Sequence, residues 1–318
     1  MEKEIEEQIE CILCGPTNPA VVFEENGYRG MKCSICHLIS ALPRPAFSEM
    51  LQRYADDRAT VHATSLVGDE TSKRWQARHT LSIINNHKRH GSILEIGAGA
   101  GYFLDEARRQ GYEVYGIEVN RIGADFINGV LGIVCDTQPL DKSSFEGKTF
   151  DIVYHCNVLS HFYNPVAEFH RAREKMNDGG LIVFETGNLG DVAKRYYHLF
   201  STFECPDHLY FFGEKSLRRL LQSTGFELVR MRRYPIWQPL LAGKLMKGIR
   251  EALRSGESPP DRTGSSREGL LAKRQKPGLK EFLKRSYRYL SYLSVYRMGR
   301  FLPKGSLPQT IIVVARKR

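Results

Sequence analysis

The sequence predicts an α/β protein built on a doubly wound parallel sheet, with a small cysteine-rich module ahead of it. Residues 92–120 read as a buried strand, a glycine-rich turn, a helix and a second strand, which is the first β-α-β unit of such a sheet. Four of the seven cysteines form two C-x2-C pairs before residue 40. A chain of 318 residues that is 42% apolar can bury a sizeable core around one main domain.

Charge is spread unevenly along the chain. The formal net charge is +10, and residues 239–318 hold 19 Lys and Arg against 5 Asp and Glu. The basic character therefore belongs to the C-terminal quarter rather than to the fold as a whole. The stretch "MEKEIEEQIE" is acidic and lacks the apolar centre of a signal peptide, and no apolar run reaches the roughly 18–20 residues of a membrane span. We expect a cytoplasmic protein.

The paired cysteines predict a structural zinc site. Eighteen residues separate Cys11 and Cys14 from Cys33 and Cys36, and the stretch between them reads as a hairpin with Asn-Gly at its turn. Four thiolates complete a tetrahedral shell and leave no open position, so the metal would be structural. Two alternatives are a c-type haem attachment at C-x-x-C-H, residues 33–37, which leaves the first pair unexplained, and four cysteines without a metal.

The glycine-rich turn does not match the patterns that bind phosphates. Tyr102 stands where G-x-G-x-x-G needs its third glycine, and the sequence has no G-x-x-x-x-G-K-[ST]. The turn reads E-x-G-x-G-x-G, with Glu95 two residues before Gly97. A carboxylate there would repel a pyrophosphate but suits a ligand with a cationic amine. A second acid, Glu118, ends the next strand and can accept both hydroxyls of a ribose.

With both acids at these spacings, the stretch resembles motif I and the following acidic position of the class I S-adenosylmethionine-dependent methyltransferases. The resemblance implies that S-adenosylmethionine is the methyl donor. It also implies that Asp136 lies near the adenine amino group, and that Cys156 and Asn157 face the methionine end of the cofactor or the acceptor. The cofactor-binding residues it implies are Glu95, Gly97, Ala98, Gly99, Gly101, Glu118, Asp136 and Asn157.

The same resemblance implies a seven-stranded, Rossmann-like sheet in the order 3-2-1-4-5-7-6. Strand four is expected at Phe150–Cys156, a helix at 165–176, a turn at 178–180 and strand five at 181–185. A helix that breaks at Gly225 precedes strand six, and "QTIIVVARKR" at the end of the chain is expected to be strand seven.

A zinc ribbon followed by "ALPRPAFSEMLQRYADD" resembles a subset of bacterial methyltransferases. This subset includes sugar C-methyltransferases of antibiotic pathways and many enzymes of cell-surface polysaccharide biosynthesis clusters. In some of them a tyrosine near the position of Tyr54 reaches over the active site, and simple packing is the alternative for Tyr54 here. The resemblance implies a sugar, a nucleotide-sugar or a lipid-linked glycan as the acceptor, with C- or O-methylation.

Two histidines are candidates for the chemistry. In the sugar C-methyltransferases a histidine in the context "EHLxYF" acts in catalysis, which implies that His208 in "CPDHLYFF" is a base or an acceptor ligand. Asp207 replaces the glutamate and could orient the ring, and a structural histidine is the alternative. His161 matches another histidine of the family, but Ser160 replaces the usual glutamate before it, so helix packing is the alternative for His161.

Some 70 residues separate strands six and seven. Residues 255–277 predict a loop, and helices are predicted on either side of it. The second helix places one stripe of apolar side chains opposite a basic face, with the stripe formed by Leu279, Leu283, Tyr287, Leu290 and Leu293. The basic face is either a solvated surface of a helical cap, or a contact for a phosphorylated or membrane-associated acceptor, or a platform for RNA bases.

Five segments follow from these assignments. They are a zinc ribbon at 1–45, a helical linker or lid at 46–91, an S-adenosylmethionine-binding catalytic domain at 92–237, a basic helical insertion at 238–305 and the last strand at 306–318. The function they predict is methyl transfer to a small-molecule or glycan acceptor, with a membrane contact through the basic insertion left open. An RNA methyltransferase is the first alternative, although "CSICH" does not reproduce the zinc ligands of the RNA enzymes, so we do not expect a nucleic-acid partner. A non-catalytic scaffold is the second, and the intact glycines and acids oppose it.

Overall fold

The computed structural model describes residues 10–50, 67–236, 289–301 and 305–318, with residues 65 and 286. The strands are β1 Glu10–Cys11, β2 Gly15–Pro16, β3 Ala20–Glu25, β4 Tyr28–Lys32, β5 Ile39–Leu42, β6 Ser92–Ile96, β7 Glu113–Ile117, β8 Cys135–Asp136, β9 Phe150–Cys156, β10 Met176–Gly187, β11 Tyr210–Phe211, β12 Phe226–Pro235 and β13 Gln309–Lys317. The helices are α1 Glu70–Ile84, α2 Tyr102–Arg109, α3 Arg121–Phe126, α4 Pro165–Glu174 and α5 Glu214–Ser223.

A seven-stranded sheet forms the centre of the protein, in the order β12-β13-β10-β9-β6-β7-β8. Counted along the chain from β6, this is 3-2-1-4-5-7-6, so the predicted order is confirmed. Strands β6 to β10 pair in parallel, whereas β13 runs antiparallel to both β10 and β12. The carboxyl ends of β6, β7, β8, β9 and β10 therefore meet at one edge, where a ligand is expected in a doubly wound sheet.

Both faces of the sheet are covered, which explains why its central strands are continuous apolar runs. All five residues of β6 are buried. One face packs on α1 and α2 through residues such as Leu81 and Phe103, and the other packs on α4 and α5 through residues such as Phe169 and Leu217.

The cysteine-rich module has its own sheet, and one strand of this sheet comes from a distant part of the chain. Strands β3, β4 and β5 are followed in that sheet by β11, which comes from residues 210–211. The hairpin turns at Asn26 and Gly27, both with positive φ (54° and 82°), as Asn-Gly turns require. The loop that carries His208 therefore runs directly into the sheet of the N-terminal module.

Two predicted boundaries are wrong by a few residues. The helix that was predicted to reach residue 176 ends at Glu174, and strand five extends over Met176–Gly187 rather than 181–185. The strand continues through the predicted turn because the extra residues are absorbed by a register shift between Met176 and Leu181, with Gly179 at φ 68°.

Tyr54 of the predicted linker lies outside the described residues, and so does part of the predicted insertion, including the loop at 255–277, Leu279, Leu283 and Tyr287. Of the described members of the predicted apolar stripe, Leu290 is 63% exposed and Leu293 is half-buried, whereas Val295, outside the stripe, is buried. Residues Leu293–Met298 form a π-helix, whose wider turn departs from the 3.6-residue period on which the predicted stripe rests. Within the described ranges, no helix has both the length and the apolar character needed to cross a membrane.

Candidate active site and metal centre

The four paired cysteines converge in the N-terminal module. The Sγ atoms of Cys11, Cys14, Cys33 and Cys36 all lie within 4.8 Å of one another, and those of Cys11 and Cys36 are 3.5 Å apart. A tetrahedral zinc with Zn–S bonds of about 2.3 Å would separate its sulfurs by about 3.8 Å. The donor set fits zinc, and its convergence also accounts for the first cysteine pair, which a haem attachment leaves unexplained.

The glycine-rich turn after β6 is left-handed at three positions. Gly97, Gly99 and Gly101 have φ of 71°, 58° and 69°, which residues with a side chain rarely adopt. A Cβ on Gly97 would also lie 2.5 Å from Val158 Cγ2. The glycines therefore allow a tight turn that packs against the residues following β9.

The backbone donors of this turn are used within the protein. The N–H groups of Gly97 and Ala98 donate to Ile117 O at 2.8 and 3.0 Å, and that of Gly99 donates to Glu118 Oε2 at 2.6 Å. A loop that cradles phosphates needs its N–H groups free to point at the ligand. The turn is therefore unsuited to a pyrophosphate, in agreement with the sequence pattern.

Glu95 is buried beside the turn with an unsatisfied carboxylate oxygen. Its Oε2 has no hydrogen-bond partner within the described part of the chain, and the residue is 4% exposed. Burial and the neighbouring Glu118 charge raise the pKa of Glu95 well above its ordinary value, and the Lys73 ammonium offsets this in part. A cationic amine next to Oε2 would satisfy the oxygen and favour the ionised form. The α-ammonium of S-adenosylmethionine is such a group.

The other residues expected to hold the nucleoside lie along the same edge. Glu118 accepts from Gly99 N and from Asn120 N at 2.8 Å, and burial raises its pKa despite these bonds. Glu118 N donates to Asp136 O at 2.9 Å, so the two acids are neighbours. Partial burial raises the pKa of Asp136, but hydrogen bonds from Ser144 and the following backbone outweigh it and lower the pKa below its ordinary value. Contacts of these acids with a ribose or an adenine remain predictions.

Asn157 follows β9 in a strained conformation. Its φ is 56°, and its N–H donates to the carbonyl of Glu185 at 2.9 Å, at the end of β10. A non-glycine residue in this region is uncommon and is held by its surroundings. The structure thus places Asn157 between the ends of two strands, at the edge where the glycine turn also lies.

His208 and His161 lie together beyond the end of β9. Their ring centroids are 4.7 Å apart, and Leu209 N donates to Ser160 O at 2.8 Å. His161 Nδ1 lies 2.9 Å from Asp207 O. The sequence suggested roles for both histidines but did not predict that they would be in contact.

Two contacts orient the His208 ring. Nδ1 lies 3.1 Å from Phe203 O, which can only accept, so this contact favours hydrogen on Nδ1 in the neutral ring. Nε2 faces Glu204 Oε2 at 3.3 Å, a contact that becomes an ion pair when the ring is protonated. Glu204 was not singled out in the sequence, and a role of the Asp207 carboxylate in orienting the ring remains a prediction.

Comparison with known proteins decides the family. The methyltransferase domain family matches residues 69–231, just over half of the chain. The chain belongs to the methyltransferase domain family. The match covers β9, β10 and the glycine turn with its two acids, where the resemblance predicts cofactor binding, and it identifies a class I S-adenosylmethionine-dependent methyltransferase domain.

Individual relatives are more distant. A tRNA U34 carboxymethyltransferase from Colwellia psychrerythraea is 28% identical over 152 residues, which cover 44% of this chain and 45% of that protein. A ubiquinone biosynthesis O-methyltransferase from Cereibacter sphaeroides is 29% identical over 103 residues, which cover 30% of this chain and 41% of the relative. The chain thus spans less than half the length of the curated relatives it matches.

Among solved structures, a coclaurine N-methyltransferase has a TM-score of 0.45 at 12% identity, with 76% of this chain and 72% of that chain covered. A mycolic acid cyclopropane synthase has a TM-score of 0.46 at 13% identity, with 76% and 83% covered.

Glu185 is a buried acid near this edge of the sheet that sequence reasoning missed. Glu185, at the end of β10, is 2% exposed, and its Oε1 accepts from Gln76 Nε2 at 3.0 Å and from the Tyr296 hydroxyl at 2.6 Å. Its Oε2 has no partner among the described residues, and burial raises its pKa. Gln76 also reaches Cys156 Sγ at 3.4 Å. An acid at the end of a predicted buried strand was the available signal, because buried acids are rare without partners.

Proposed function

We propose that this protein transfers the methyl group of S-adenosylmethionine to a carbon or a hydroxyl of a sugar, a nucleotide sugar or a lipid-linked glycan. The observation that carries the proposal is the position of the His208 ring relative to the Phe203 carbonyl. Its Nδ1 lies 3.1 Å from Phe203 O, a contact that favours hydrogen on Nδ1 and makes Nε2 the basic nitrogen, next to the turn that follows β9. A carbon or hydroxyl acceptor must lose a proton when it is methylated, so it benefits from such a base.

The cofactor supplies an electrophilic methyl group on a sulfonium. In the proposal, Glu95 binds the ammonium of the cofactor and Glu118 binds its ribose hydroxyls. Asp136 lies at the adenine end and Asn157 at the methionine end. The unsatisfied Glu95 oxygen and the internally bonded glycine turn support a ligand with a cation and without phosphates. These residues position the methyl group, and alignment accounts for much of the rate in such a displacement.

His208 then takes up the acceptor proton. The acceptor oxygen or carbon forms its bond to the methyl carbon while the carbon–sulfur bond breaks, and the bonding pair stays on sulfur. The acceptor proton goes to His208 Nε2, which becomes an imidazolium. Glu204 Oε2, 3.3 Å away, stabilises that charge.

The choice of acceptor rests on two further observations. The ubiquinone biosynthesis relatives are O-methyltransferases by name, so their acceptor also carries a proton that must leave. The zinc-binding module in front of the domain resembles that of bacterial sugar C-methyltransferases. Both support a proton-bearing small-molecule acceptor rather than an amine.

The test is in two steps. Calorimetry should detect S-adenosylmethionine binding by the wild type and none by Gly99→Arg, whose side chain would enter the glycine turn. Labelled S-adenosylmethionine is then offered with nucleotide sugars, with lipid-linked glycans and with total RNA in separate reactions. Label in a sugar or glycan fraction that His208→Ala abolishes, with cofactor affinity retained, supports the proposal. Absence of cofactor binding by the wild type would contradict the proposed function.

RNA is the second candidate acceptor. It is favoured by the likeness to a tRNA U34 carboxymethyltransferase and by a basic groove of about 630 Å³ at the opposite edge of the sheet. The groove is lined by residues 85–90, Gly179, Leu181 and Arg316. Two of its cations already have partners, because Lys88 pairs with Asp151 at 2.8 Å and Arg89 donates to Asn85 O. Retention of the protein on bulk RNA with a steep salt dependence would favour this candidate.

A further inference from the structure

The hairpin of the zinc-binding module holds the loop that carries His208. Glu25, the last residue of β3, accepts three hydrogen bonds from this loop. Its Oε1 accepts from Thr202 Oγ1 at 2.9 Å and from Phe203 N at 2.8 Å, and its Oε2 accepts from Cys205 N at 2.9 Å. Both carboxylate oxygens are thus directed at one short stretch of backbone. Asn26 adds a fourth bond, from Nδ2 to Cys205 O at 3.0 Å.

Apolar contacts fix the same loop from the same strand. The rings of Phe23 and Phe203 stack with centroids 3.9 Å apart and planes 14° apart, and Phe211 meets Phe23 edge-on at 5.4 Å. Phe23 lies flat across β4 because Gly30 has no side chain there; a Cβ on Gly30 would overlap the Phe23 ring. Polar and aromatic contacts therefore bring the hairpin and the loop together independently.

The held backbone is also the backbone that orients the imidazole. Phe203, whose N–H is bound by Glu25, offers its carbonyl to His208 Nδ1. Thr202 Oγ1 donates to Glu25 and accepts from Glu204 N at 2.9 Å. Glu204 itself has φ 63°, which a residue with a side chain adopts when its surroundings impose it. One carboxylate thus fixes the conformation of residues 202–205, which supply the two oxygens that face the ring nitrogens of His208.

We propose that Glu25 is a positioning residue for methyl transfer, acting on His208 through the loop at 202–205. It holds the Phe203 carbonyl against Nδ1, which favours hydrogen on Nδ1 in the neutral ring, so that Nε2, facing Glu204, is the nitrogen that accepts a proton. The effect of Glu25 on catalysis rests on the proposed function. Its effect on the conformation of the loop and on the His208 ring does not. The zinc-binding module then has a task in the active site besides its own stability, because its hairpin lies between the two cysteine pairs.

The test compares Glu25→Gln with Glu24→Gln in the full-length protein. Glu24 is the exposed neighbour of Glu25 on the same strand, so its variant carries the same charge change without the contacts. A glutamine at position 25 would present an N–H group to one of the backbone donors. We expect hydrogen exchange at the amides of Phe203 and Cys205 to accelerate at least about tenfold in Glu25→Gln and to stay unchanged in Glu24→Gln.

The imidazole is followed by 15N NMR, with the His208 signals assigned by their loss in His208→Ala. The wild type should show hydrogen on Nδ1, and Glu25→Gln should show both tautomers, with S-adenosylmethionine affinity unchanged. Thr202→Val, which removes one of the links, should shift both readouts in the same direction. Unchanged amide exchange or an unchanged tautomer in Glu25→Gln would overturn the positioning role. Full methyl transfer by His208→Ala would instead overturn the proposed function, which makes the two failures distinguishable.

Discussion

Tyr296 donates its hydroxyl hydrogen to Glu185 Oε1 at 2.6 Å, which joins the segment before β13 to the carboxyl end of β10. Gln76 of α1 donates to the same oxygen. Residues 220 positions apart in the chain, Gln76 and Tyr296, thus meet at one buried carboxylate beside Cys156. The described end of the insertion therefore lies next to the edge of the sheet where the cofactor is expected to bind.

Removal of this hydroxyl should destabilise the protein. Tyr296→Phe keeps the ring, which packs on His79 and Tyr234, but leaves Glu185 with one donor. We expect a loss of about 1–3 kcal/mol in the free energy of unfolding, as for other hydrogen bonds to charged groups. Tyr292→Phe, in the same aromatic cluster, is the control and should cost less than about 0.5 kcal/mol in urea denaturation. Equal losses in both variants would contradict a specific role for the Glu185 bond.

Glu95→Gln should have opposite effects on cofactor binding and on stability. It replaces an unsatisfied buried carboxylate by a neutral amide, so the melting temperature should rise. It also removes the charge that faces a ligand ammonium, so affinity for S-adenosylmethionine should fall about 10- to 100-fold, which corresponds to a charge-assisted hydrogen bond. Glu113→Gln, at an exposed acid on β7, should change neither quantity. A variant that binds the cofactor as tightly as the wild type would remove Glu95 from the site.

The pH dependence of Glu95→Gln has a definite sign. The folded-state pKa of Glu95 lies above its unfolded value, so between these values the folded state binds more protons and wild-type stability falls as pH rises. The stability gained by the variant should therefore be larger at pH 7 than at pH 4. Thermal unfolding at the two pH values measures this difference.

His155→Phe should stabilise the fold. His155 is 1% exposed, neither ring nitrogen has a partner among the described residues, and its ring stacks on Phe184 with centroids 5.1 Å apart. Phenylalanine keeps the stacking and removes two unsatisfied buried atoms, which cost about 1–3 kcal/mol when left unpaired. A decrease in unfolding free energy would show that the extra ring volume outweighs this gain.

The loss of stability at acidic pH should depend on the same histidine, His155. Burial lowers the pKa of His155 to about 3, against about 6.5 in an unfolded chain. Between these values the unfolded state binds more protons, so wild-type stability is lost as pH falls from about 6.5 towards 3. His155→Phe should show a shallower loss over this window. His79, whose pKa burial lowers to about 4, should retain part of the slope.

The cluster of four cysteines predicts one bound zinc per chain. Purified protein should contain one zinc per chain by mass spectrometry of the metals, and Cys36→Ser should lose it, because three thiolates leave the tetrahedral shell incomplete. Cys135→Ala, at a buried cysteine outside the cluster, should retain the metal. Removal of zinc by a chelator should also accelerate amide exchange in the hairpin at 20–32. Wild-type protein free of zinc after expression with the metal present would contradict the site.

The sequence by itself determined the elements whose signals are local. The spacing of the cysteines, the glycines at 97, 99 and 101 and the acids that flank them follow from ligand geometry and backbone sterics, which act over a few residues. The fold class was therefore predictable, and the strand order followed from the family resemblance, with boundary errors at the ends of α4 and β10 and a misplaced Leu290. The preference for a ligand without phosphates was predictable for the same reason.

Only the tertiary structure decided which distant groups meet. Nothing local in the sequence links Glu25 to the backbone of residues 202–205, 177 or more positions away, or indicates that Glu204 faces the ring of His208. Hydrogen bonds between side chains and a loop depend on the relative position of the two sheets. The periodicity of apolar residues in the sequence predicts helices and strands but not this position. The same holds for Glu185, whose partners come from α1 and from the segment before β13.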